Sequence, residues 1–259
     1  MNFTTRFEPL AEGWARPRDV SVDGWRIDNM TDGALAAITV LFIIMVIWMF
    51  WACIQHGKKH TAEYSNGDSK RWRMAKLGIA AGIFFGVDGI LFYHSARDLE
   101  AVLWNFEDPE HNPATVRIEV NARQWNWEAR YAGLDGKFNT PDDIVTLNDL
   151  RAPIGTPVLF QLTAVDVLHS LYIPNLRVKQ DIVPGMVTRS RFEAKETGTF
   201  EIGCAQHCGT NHYKMRGSMT VMSKEDYQRW LEQSSKDGTR SYNPTDQAAH
   251  WGWNWRRES

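Results

Sequence analysis

Five side chains with soft donor atoms are spaced in a pattern typical of a metal site. Cys204, Cys208 and His212 follow one another at intervals of four residues, Met215 stands three further on, and His169 lies upstream. Thiolate, imidazole and thioether donors together suit copper, because sulfur favours the cuprous ion and imidazole accepts both oxidation states. Zinc would not need the methionine, and a single-copper electron-transfer site uses only one cysteine. If the two sulfurs bridge two metals, both have a use.

The length and charge of the chain exclude several classes of protein. At 259 residues the chain has room for one sizeable core with additional elements. Its 29 basic and 31 acidic residues give a formal net charge of −2, far from the basic footprint of a nucleic-acid-binding protein. Its three cysteines are an odd number and cannot form the disulfide scaffold of a small secreted domain. We therefore expect no nucleic-acid partner and look for the chemistry of the cysteines in their spacing.

Two apolar stretches predict transmembrane helices, at residues 33–56 and 75–97. The first contains an uncharged run, residues 34–53, that is long enough to cross the hydrocarbon core of a bilayer. A cleaved signal peptide would be shorter, closer to the N-terminus and followed by a small-residue cleavage site. The second run is interrupted only by Asp88. The sequence leaves open whether Asp88 pairs with a nearby polar group or faces a protein partner.

The second span carries a face of small residues. Gly78, Gly82 and Gly86 recur every four residues, so they share a helix face that another helix backbone could approach closely. The sequence leaves open whether that helix is the first span or belongs to another subunit.

The connection between the spans sets the predicted orientation. Basic residues outnumber acidic residues in residues 57–74, so the positive-inside rule places this loop in the cytoplasm. The N-terminal segment, residues 1–32, and everything from a linker at residues 98–114 onward then lie on the opposite side. We expect a two-span integral membrane protein, in a bacterial plasma membrane, with both termini on the periplasmic side.

The exported part is predicted to be an all-β domain, residues 115–232. Apolar and polar residues alternate in short runs separated by turn signals, which indicates an antiparallel sandwich or barrel with half-buried strands. Examples of the apolar positions are Val116, Ile118, Val120, Val158, Phe160, Leu162, Phe200, Ile202, Met219 and Val221. Ser223, followed three residues later by Asp226, predicts the start of a short closing helix through Trp230. Residues 233–259 are polar and without a period, and are predicted to form an extended tail. Its tryptophans, which could contact a partner or the membrane surface, are Trp251, Trp253 and Trp255.

Several motifs together resemble subunit II of the haem-copper cytochrome c oxidases. They are His169 within DVLHS, the loop C-x3-C-G-x-N-H-x2-M, and the aromatic cluster at residues 124–127. The resemblance covers roughly residues 30–232. It implies two N-terminal transmembrane helices followed by a cupredoxin-like Greek-key sandwich that holds the dinuclear, mixed-valence copper A centre.

The resemblance also implies a role for each matching residue. In the family pattern the two cysteines bridge the coppers, each histidine binds one copper, the methionine is an axial ligand, and a backbone carbonyl is the weak ligand of the other copper. The implied ligands are His169, Cys204, Gln206 (through its carbonyl), Cys208, His212 and Met215. Trp125 matches the aromatic residue where an electron from cytochrome c enters, whereas Trp127 is expected to pack in the core. Asp166 either orients the loop of His169 or docks cytochrome c.

Two features depart from this pattern. The family typically has a glutamate at the position of Gln206, and its side chain reaches a magnesium ion at the border with subunit I. A neutral amide brings no charge to such a hard cation, which argues against the magnesium role. His207 stands where the family usually has an apolar residue. An acidic loop that includes residues 135–143 bears some likeness to a calcium loop, but its spacing misses the EF-hand pattern and favours a plain acidic turn.

The leading functional hypothesis is an electron relay in a terminal oxidase. With five side chains and a carbonyl as ligands, the site has no open position for a substrate, unlike a catalytic metal site. The resemblance implies that electrons arrive from cytochrome c, or from a haem domain fused to another complex, and pass to haem in subunit I. Oxygen reduction and proton translocation would take place in that subunit, beside other oxidase subunits. The alternative is a membrane-anchored copper-delivery protein.

Overall fold

The protein consists of a helical unit and a β unit. The structure, a computed structural model, describes residues 15–57, 60, 61, 64, 67 and 69–241. The helical unit is Arg26–Trp104, and the β unit comprises the described parts of Met1–Trp25 and Asn105–Ser259. Part of the predicted cytoplasmic connection, residues 58, 59, 62, 63, 65, 66 and 68, lies outside the described residues, and so do the tryptophans of the predicted tail.

Two long apolar helices form the helical unit, as predicted. Helix α1 spans Gly24–Gln55. The second helix runs without a break from Lys70 to Leu103 and contains two π-helical turns. Its parts are α2 (Lys70–Ile83), the turn Phe84–Asp88, α3 (Gly89–Asp98) and the turn Leu99–Leu103. Both helices have the length and hydropathy of membrane spans. They extend beyond the apolar runs because no helix-breaking residue follows where the polar sequence begins.

The glycine face of the second helix is open. Among the described residues, no heavy atom lies within 4 Å of a Cβ built on Gly78, Gly82 or Gly86, apart from the helix's own backbone and the adjacent residues. The first span therefore does not cover this face. The two helices instead meet elsewhere, where Arg26 forms an ion pair with Asp98 at 3.2 Å.

The described part of the β unit contains ten strands and two further α-helices. The strands are β1 (Val116–Arg123), β2 (Asn126–Tyr131), β3 (Ile144–Leu147), β4 (Asp149–Pro153), β5 (Pro157–Ala164), β6 (His169–Ile173), β7 (Val178–Ile182), β8 (Thr188–Glu193), β9 (Gly198–Cys204) and β10 (Arg216–Met222). The helices are α4 (Glu107–His111), before the first strand, and α5 (Lys224–Ser241), after the last. One sheet has the order β3-β2-β1-β5-β8 and the other has the order β4-β10-β9-β6-β7.

The fold class of two N-terminal helices and an all-β sandwich is confirmed, but both sheets are mixed rather than antiparallel. Strand β1 pairs with β5 in parallel, and β4 pairs with β10 in parallel. After β3 the chain crosses to the other sheet as β4 and then returns as β5 beside β1. Since β4 in the other sheet lies between β3 and β5 along the chain, β5 can return in the same direction as β1. The alternation of apolar residues does not encode this direction.

The core lies between the two sheets and is built from the alternating apolar positions. Nearly all the predicted inward residues are buried, and only Val116, at the start of β1, is partly exposed. The confirmed core positions are Ile118, Val120, Val158, Phe160, Leu162, Phe200, Ile202, Met219 and Val221.

The segment that precedes α1 is part of the β unit. Val20 is fully buried, its amide donates to the carbonyl of Asn175 at 2.9 Å, and its carbonyl accepts from the amide of Lys195 at 2.8 Å. Ser21 adds an antiparallel bridge to Ala194. These contacts make the residues before α1 part of the β unit, although the rest of that unit follows both helices in the sequence.

Helix α5 continues well past its predicted end at Trp230. Its start is as predicted, since the Ser223 hydroxyl accepts a hydrogen bond from the amide of Asp226 at 3.0 Å. Its later turns pack on the acidic loop before β3: the buried Ser235 hydroxyl donates to Asp142 at 3.0 Å, and a Cβ at Gly238 would lie 2.5 Å from the carbonyl oxygen of Asp143. Residues 233–241 are therefore helical rather than an extended tail, because tertiary contacts stabilise these turns.

The acidic loop is held by its own carboxylates. Asp142 accepts hydrogen bonds from the amide of Leu134 at 2.6 Å and from the Thr140 hydroxyl at 2.8 Å, in addition to Ser235. These donors occupy the oxygens that a calcium ion would need. The plain acidic turn therefore accounts for Asp142, and calcium at residues 135–143 stays an untested alternative.

Asp143 should make the β unit less stable as the pH rises from about 4 to about 6. Burial raises the pKa of Asp143 to about 6, against the opposing effects of the Asn139 amide and the Arg130 guanidinium. In the unfolded chain the pKa of an aspartate is about 3.9, so the folded state binds the proton more tightly. The resulting stabilisation is complete below pH of about 4 and disappears as the pH passes about 6, a loss on the order of 2–3 kcal/mol.

Denaturant unfolding of the full chain in detergent, followed by tryptophan fluorescence across this pH range, measures the effect. Asp143→Asn should reduce the slope while keeping an acceptor for the Asn139 amide. A residual slope should remain, because burial also raises the pKa of Glu128. The pKa of Asp142 shifts the other way, since hydrogen bonds outweigh its burial and lower it. Parallel curves for the two proteins between pH 4 and 6 would contradict the assignment.

Candidate metal centre

The topology of the second sheet brings the predicted ligands to one end of the sandwich. Cys204 is the last residue of β9 and His169 is the first residue of β6. These strands are neighbours, with Cys204 in register with Leu171. His212 lies in a short 3-10 turn, His212–Lys214, and Met215 follows it directly before β10. Strand pairing thus closes the gap of 35 residues between His169 and Cys204.

The donor atoms form a compact cluster with two halves. The sulfur atoms of Cys204 and Cys208 are 3.8 Å apart. On one side, Cys204 Sγ lies 4.0 Å from His169 Nδ1 and 3.2 Å from the carbonyl oxygen of Gln206. On the other side, Cys208 Sγ lies 3.5 Å from Nδ1 of His212 and 3.7 Å from Sδ of Met215. Each sulfur therefore has its own histidine and its own weaker donor.

These spacings fit donors that share metal ions. Two donors bound at about 2.0–2.3 Å with a tetrahedral angle lie about 3.3–3.8 Å apart. Three of the five separations fall in that range, the 3.2 Å between Cys204 Sγ and the Gln206 carbonyl lies just below it, and the 4.0 Å between Cys204 Sγ and His169 lies slightly above it. Among the described residues, the group of His, Cys and acidic side chains close enough to hold an ion is His169, Cys204 and Cys208. The donor set is soft throughout and thus suits copper.

Asp166 fixes the orientation of His169. Its carboxylate lies 2.8 Å from Nε2 of the fully buried His169 and accepts hydrogen bonds from the amides of Gln124 and Val167, both at 2.6 Å. A proton on Nε2, donated to Asp166, leaves the lone pair of Nδ1 directed to the Cys204 side. Burial lowers the pKa of His169, but contacts with Cys204 and Asp166 outweigh burial and raise it. Of the two roles predicted for Asp166, the geometry supports the orienting one.

The two thiols have opposite tendencies to ionise. Burial raises the pKa of Cys204, but hydrogen bonds with His169 and with the backbone at Gln206 outweigh it, so the pKa falls below the usual range. Burial raises the pKa of Cys208, and the adjacent charge of Cys204 raises it further. Since a thiol binds a metal as the thiolate, metal binding here releases a proton, at least from Cys208.

Trp125 and Gln124 touch the loop that carries the cysteines. Both donate to the carbonyl of Cys208, from Trp125 Nε1 at 3.2 Å and from Gln124 Nε2 at 2.8 Å. Gly209 is required at this contact: its φ is +116°, and a Cβ there would lie 2.8 Å from Gln124 Nε2. Trp127 is fully buried, with its ring edge-on to His169, in agreement with the predicted core role.

Two residues that sequence reasoning did not single out also contact the centre. Ser170, fully buried, donates from its hydroxyl to Asp181 at 2.7 Å, and the side-chain amide of Gln206 donates to the same carboxylate at 3.2 Å. Asp181 is in register with Ser170 on β7, which no local sequence pattern reveals. The His207 ring lies edge-on to the His212 ring, with centroids 5.5 Å apart.

Comparison with known proteins gives consistent matches. Residues 116–222 match the family model described as cytochrome c oxidase subunit II, periplasmic domain. The chain is 30% identical over 249 residues to the alternative cytochrome c oxidase subunit 2 of Bradyrhizobium diazoefficiens, covering 87% of this chain and 82% of the relative. It is 25% identical to cytochrome c oxidase subunit 2 of Cereibacter sphaeroides, covering 77% and 72%. A solved structure, the periplasmic domain of subunit II of cytochrome oxidase from Bradyrhizobium japonicum, is 23% identical, covers 49% of this chain and 97% of that one, and has a TM-score of 0.43.

The match to the Bradyrhizobium diazoefficiens relative covers most of both chains, and the family model covers the ten described strands. Sequence similarity over most of both chains, together with a sulfur pair flanked by two histidines, leads to one conclusion: the chain belongs to the cytochrome c oxidase subunit II family.

Proposed function

We propose that this subunit holds a dinuclear copper A centre that relays electrons from cytochrome c, or an equivalent haem donor, to haem in subunit I. Oxygen reduction and coupled proton translocation would take place in that partner. The observation that carries the proposal is the pair of cysteine sulfurs 3.8 Å apart, each with its own histidine. The proposed ligands are His169, Cys204, the carbonyl of Gln206, Cys208, His212 and Met215, and Trp125 is the proposed point of electron entry.

The chain itself supplies rigidity and exclusion of water. Copper held by these donors would supply one-electron redox chemistry. His169, Cys208 and Met215 are at most 2% exposed, so these three donors are sheltered from bulk water, whereas Cys204 and His212 are partly exposed. Strands β6 and β9 fix His169 and Cys204, and Asp166 locks the histidine ring. Because the donors are already in place, little has to move when the charge of the site changes, which favours fast electron transfer.

The helical unit supports attachment to a membrane and contact with another oxidase subunit. We infer that both helices cross a bacterial plasma membrane and that the β unit lies on the periplasmic side. The excess of basic residues between the spans supports this orientation. The open face at Gly78, Gly82 and Gly86 supports close packing against a helix of another oxidase subunit, with subunit I as the first candidate.

Copper analysis combined with electron paramagnetic resonance of the purified full chain tests the proposal. We expect two coppers per chain that share one unpaired electron, with its hyperfine splitting spread over both nuclei. A copper-delivery protein would instead bind a single labile copper, and zinc or a disulfide between Cys204 and Cys208 would contradict both functions.

Trp125→Phe should slow electron uptake several-fold and leave the copper signal intact. The phenyl ring keeps the aromatic contact, but it lacks the Nε1–H that donates to the Cys208 carbonyl. Stopped-flow mixing with a reduced haem donor measures the rate. Trp104→Phe, at an exposed tryptophan outside the β unit, is the matched control. Equal rates for Trp125→Phe and the unmodified chain would rule out Trp125 as the entry point.

A further inference from the structure

Asp181 links two parts of the metal centre that are distant in sequence. Its Oδ1 accepts the hydroxyl of Ser170, the neighbour of His169, at 2.7 Å. Its Oδ2 accepts the side-chain amide of Gln206 at 3.2 Å. The Nζ of Lys179 also donates to Oδ1, at 3.0 Å. One carboxylate on β7 therefore holds both β6 and the cysteine loop.

The loop segment that Asp181 holds carries the weakest of the proposed donors. The carbonyl oxygen of Gln206 lies 3.2 Å from Cys204 Sγ. One residue earlier, the Ala205 amide donates to the Ser170 carbonyl at 3.0 Å. The side chain of Gln206 itself is anchored by its hydrogen bond to Asp181. The position of the carbonyl thus depends on the contact between Gln206 and Asp181.

We propose that Asp181 is a positioning residue of the copper centre: by binding the Gln206 amide and the Ser170 hydroxyl, it sets the distance of the Gln206 carbonyl from the Cys204 half of the site. The proposal rests on the proposed function. Gln206 suits this task because its amide can donate to a carboxylate, whereas a carboxylate at this position would be repelled by Asp181.

A weak ligand on one half of the site would affect the reduction potential of the centre and the division of the unpaired electron between its two halves. Axial ligands tune the reduction potential of copper bound by cysteine and histidine. The Gln206 carbonyl is the weak donor next to Cys204, and Met215 is the weak donor next to Cys208. If the carbonyl moves away, the Cys204 half loses a donor, the oxidised form becomes less stable and the unpaired electron shifts between the halves.

The test measures the copper hyperfine pattern and the midpoint potential of the copper-loaded full chain in detergent. Asp181→Ala should alter the hyperfine pattern and raise the potential, with the copper content unchanged. Asp181→Asn keeps an acceptor for the Gln206 amide, so its hyperfine pattern should stay close to that of the unmodified chain. Gln206→Ala removes the other partner but keeps the carbonyl, and it should reproduce the pattern of Asp181→Ala.

A double-mutant cycle separates positioning from charge. Because both side chains act through one contact, Asp181→Ala/Gln206→Ala should show no larger change than either single variant. Lys179→Met removes the positive charge beside Asp181, at a side chain that is about half exposed. It should lower the midpoint potential or leave it unchanged, and it should leave the hyperfine pattern unchanged. The proposal is overturned if the two single effects add, if Asp181→Asn equals Asp181→Ala, or if Asp181→Ala leaves both quantities unchanged. Absence of a mixed-valence signal from the unmodified chain would instead overturn the proposed function.

Discussion

Replacing Cys208 by serine should abolish the proposed dinuclear centre. Its sulfur has three neighbouring donors in the cluster, as many as Cys204 has: it lies 3.8 Å from Cys204, 3.5 Å from His212 and 3.7 Å from Met215. A serine hydroxyl is a hard and weakly acidic donor that does not bridge two copper ions. We expect complete loss of the mixed-valence signal and a copper content of one ion or fewer per chain, measured by metal analysis and electron paramagnetic resonance.

The third cysteine offers a matched control for this experiment. Cys53→Ser makes the same chemical change at an exposed position of α1 and should leave copper content and signal unchanged. Cys204→Ser should behave as Cys208→Ser does, because both sulfurs would bridge the coppers in the proposed centre. If Cys208→Ser retains both coppers and the shared-electron signal, the bridged site is wrong.

Removing Arg130 should produce the largest loss of stability in the β unit. Arg130 on β2 is in register with Glu119 on β1, and its Nε donates to Glu119 at 2.8 Å. The exposure of the two side chains is 2% and 0%. Arg130→Met would leave the carboxylate of Glu119 buried without its counter-charge. Breaking such a pair costs about 3–5 kcal/mol, to be measured as the change in free energy of unfolding in denaturant.

Two further variants separate the burial of charge from the loss of packing. Glu119→Leu/Arg130→Met removes both charges of the pair and should recover part of the lost stability, because a buried pair contributes little beyond its own desolvation cost. Asp143, which lies 3.6 Å from Arg130, still loses its ion pair in this variant. Arg18→Gln breaks an ion pair with Glu196 that is about half exposed, and it should cost less than about 1 kcal/mol. A double variant as unstable as Arg130→Met would show that the unpaired charge of Glu119 is not the main cause of the loss.

Much of the fold follows from local sequence patterns. The apolar runs predict both helices because crossing a bilayer demands length and hydrophobicity, which are visible residue by residue. The alternation of apolar residues predicts the strands, and Ile118, Phe160 and Phe200 do lie in the core. Strand direction does not follow, since parallel and antiparallel pairing can both bury an alternating face.

The residues of the candidate site were likewise only partly predictable from the sequence. The spacing of Cys204, Cys208 and His212 is local, so the sequence by itself identified the soft donors and the loop that holds them. Asp181 and Arg130 were not found, because their partners lie on other strands and their own neighbours in sequence carry no distinctive pattern. Helix α5 also runs further than its sequence indicates, as contacts of Ser235 with the acidic loop stabilise its last turns.

The sequence alone therefore determined which residues can bind metal, which segments can span a membrane and which faces of the strands are apolar. Only the tertiary structure decided which strands are neighbours, that the segment before α1 packs on the β unit, and which carboxylates support the centre. The physical reason is the separation along the chain of the residues that interact. Periodicity and ligand spacing are set by residues a few positions apart, whereas strand pairing and buried polar contacts join residues that are far apart in the chain.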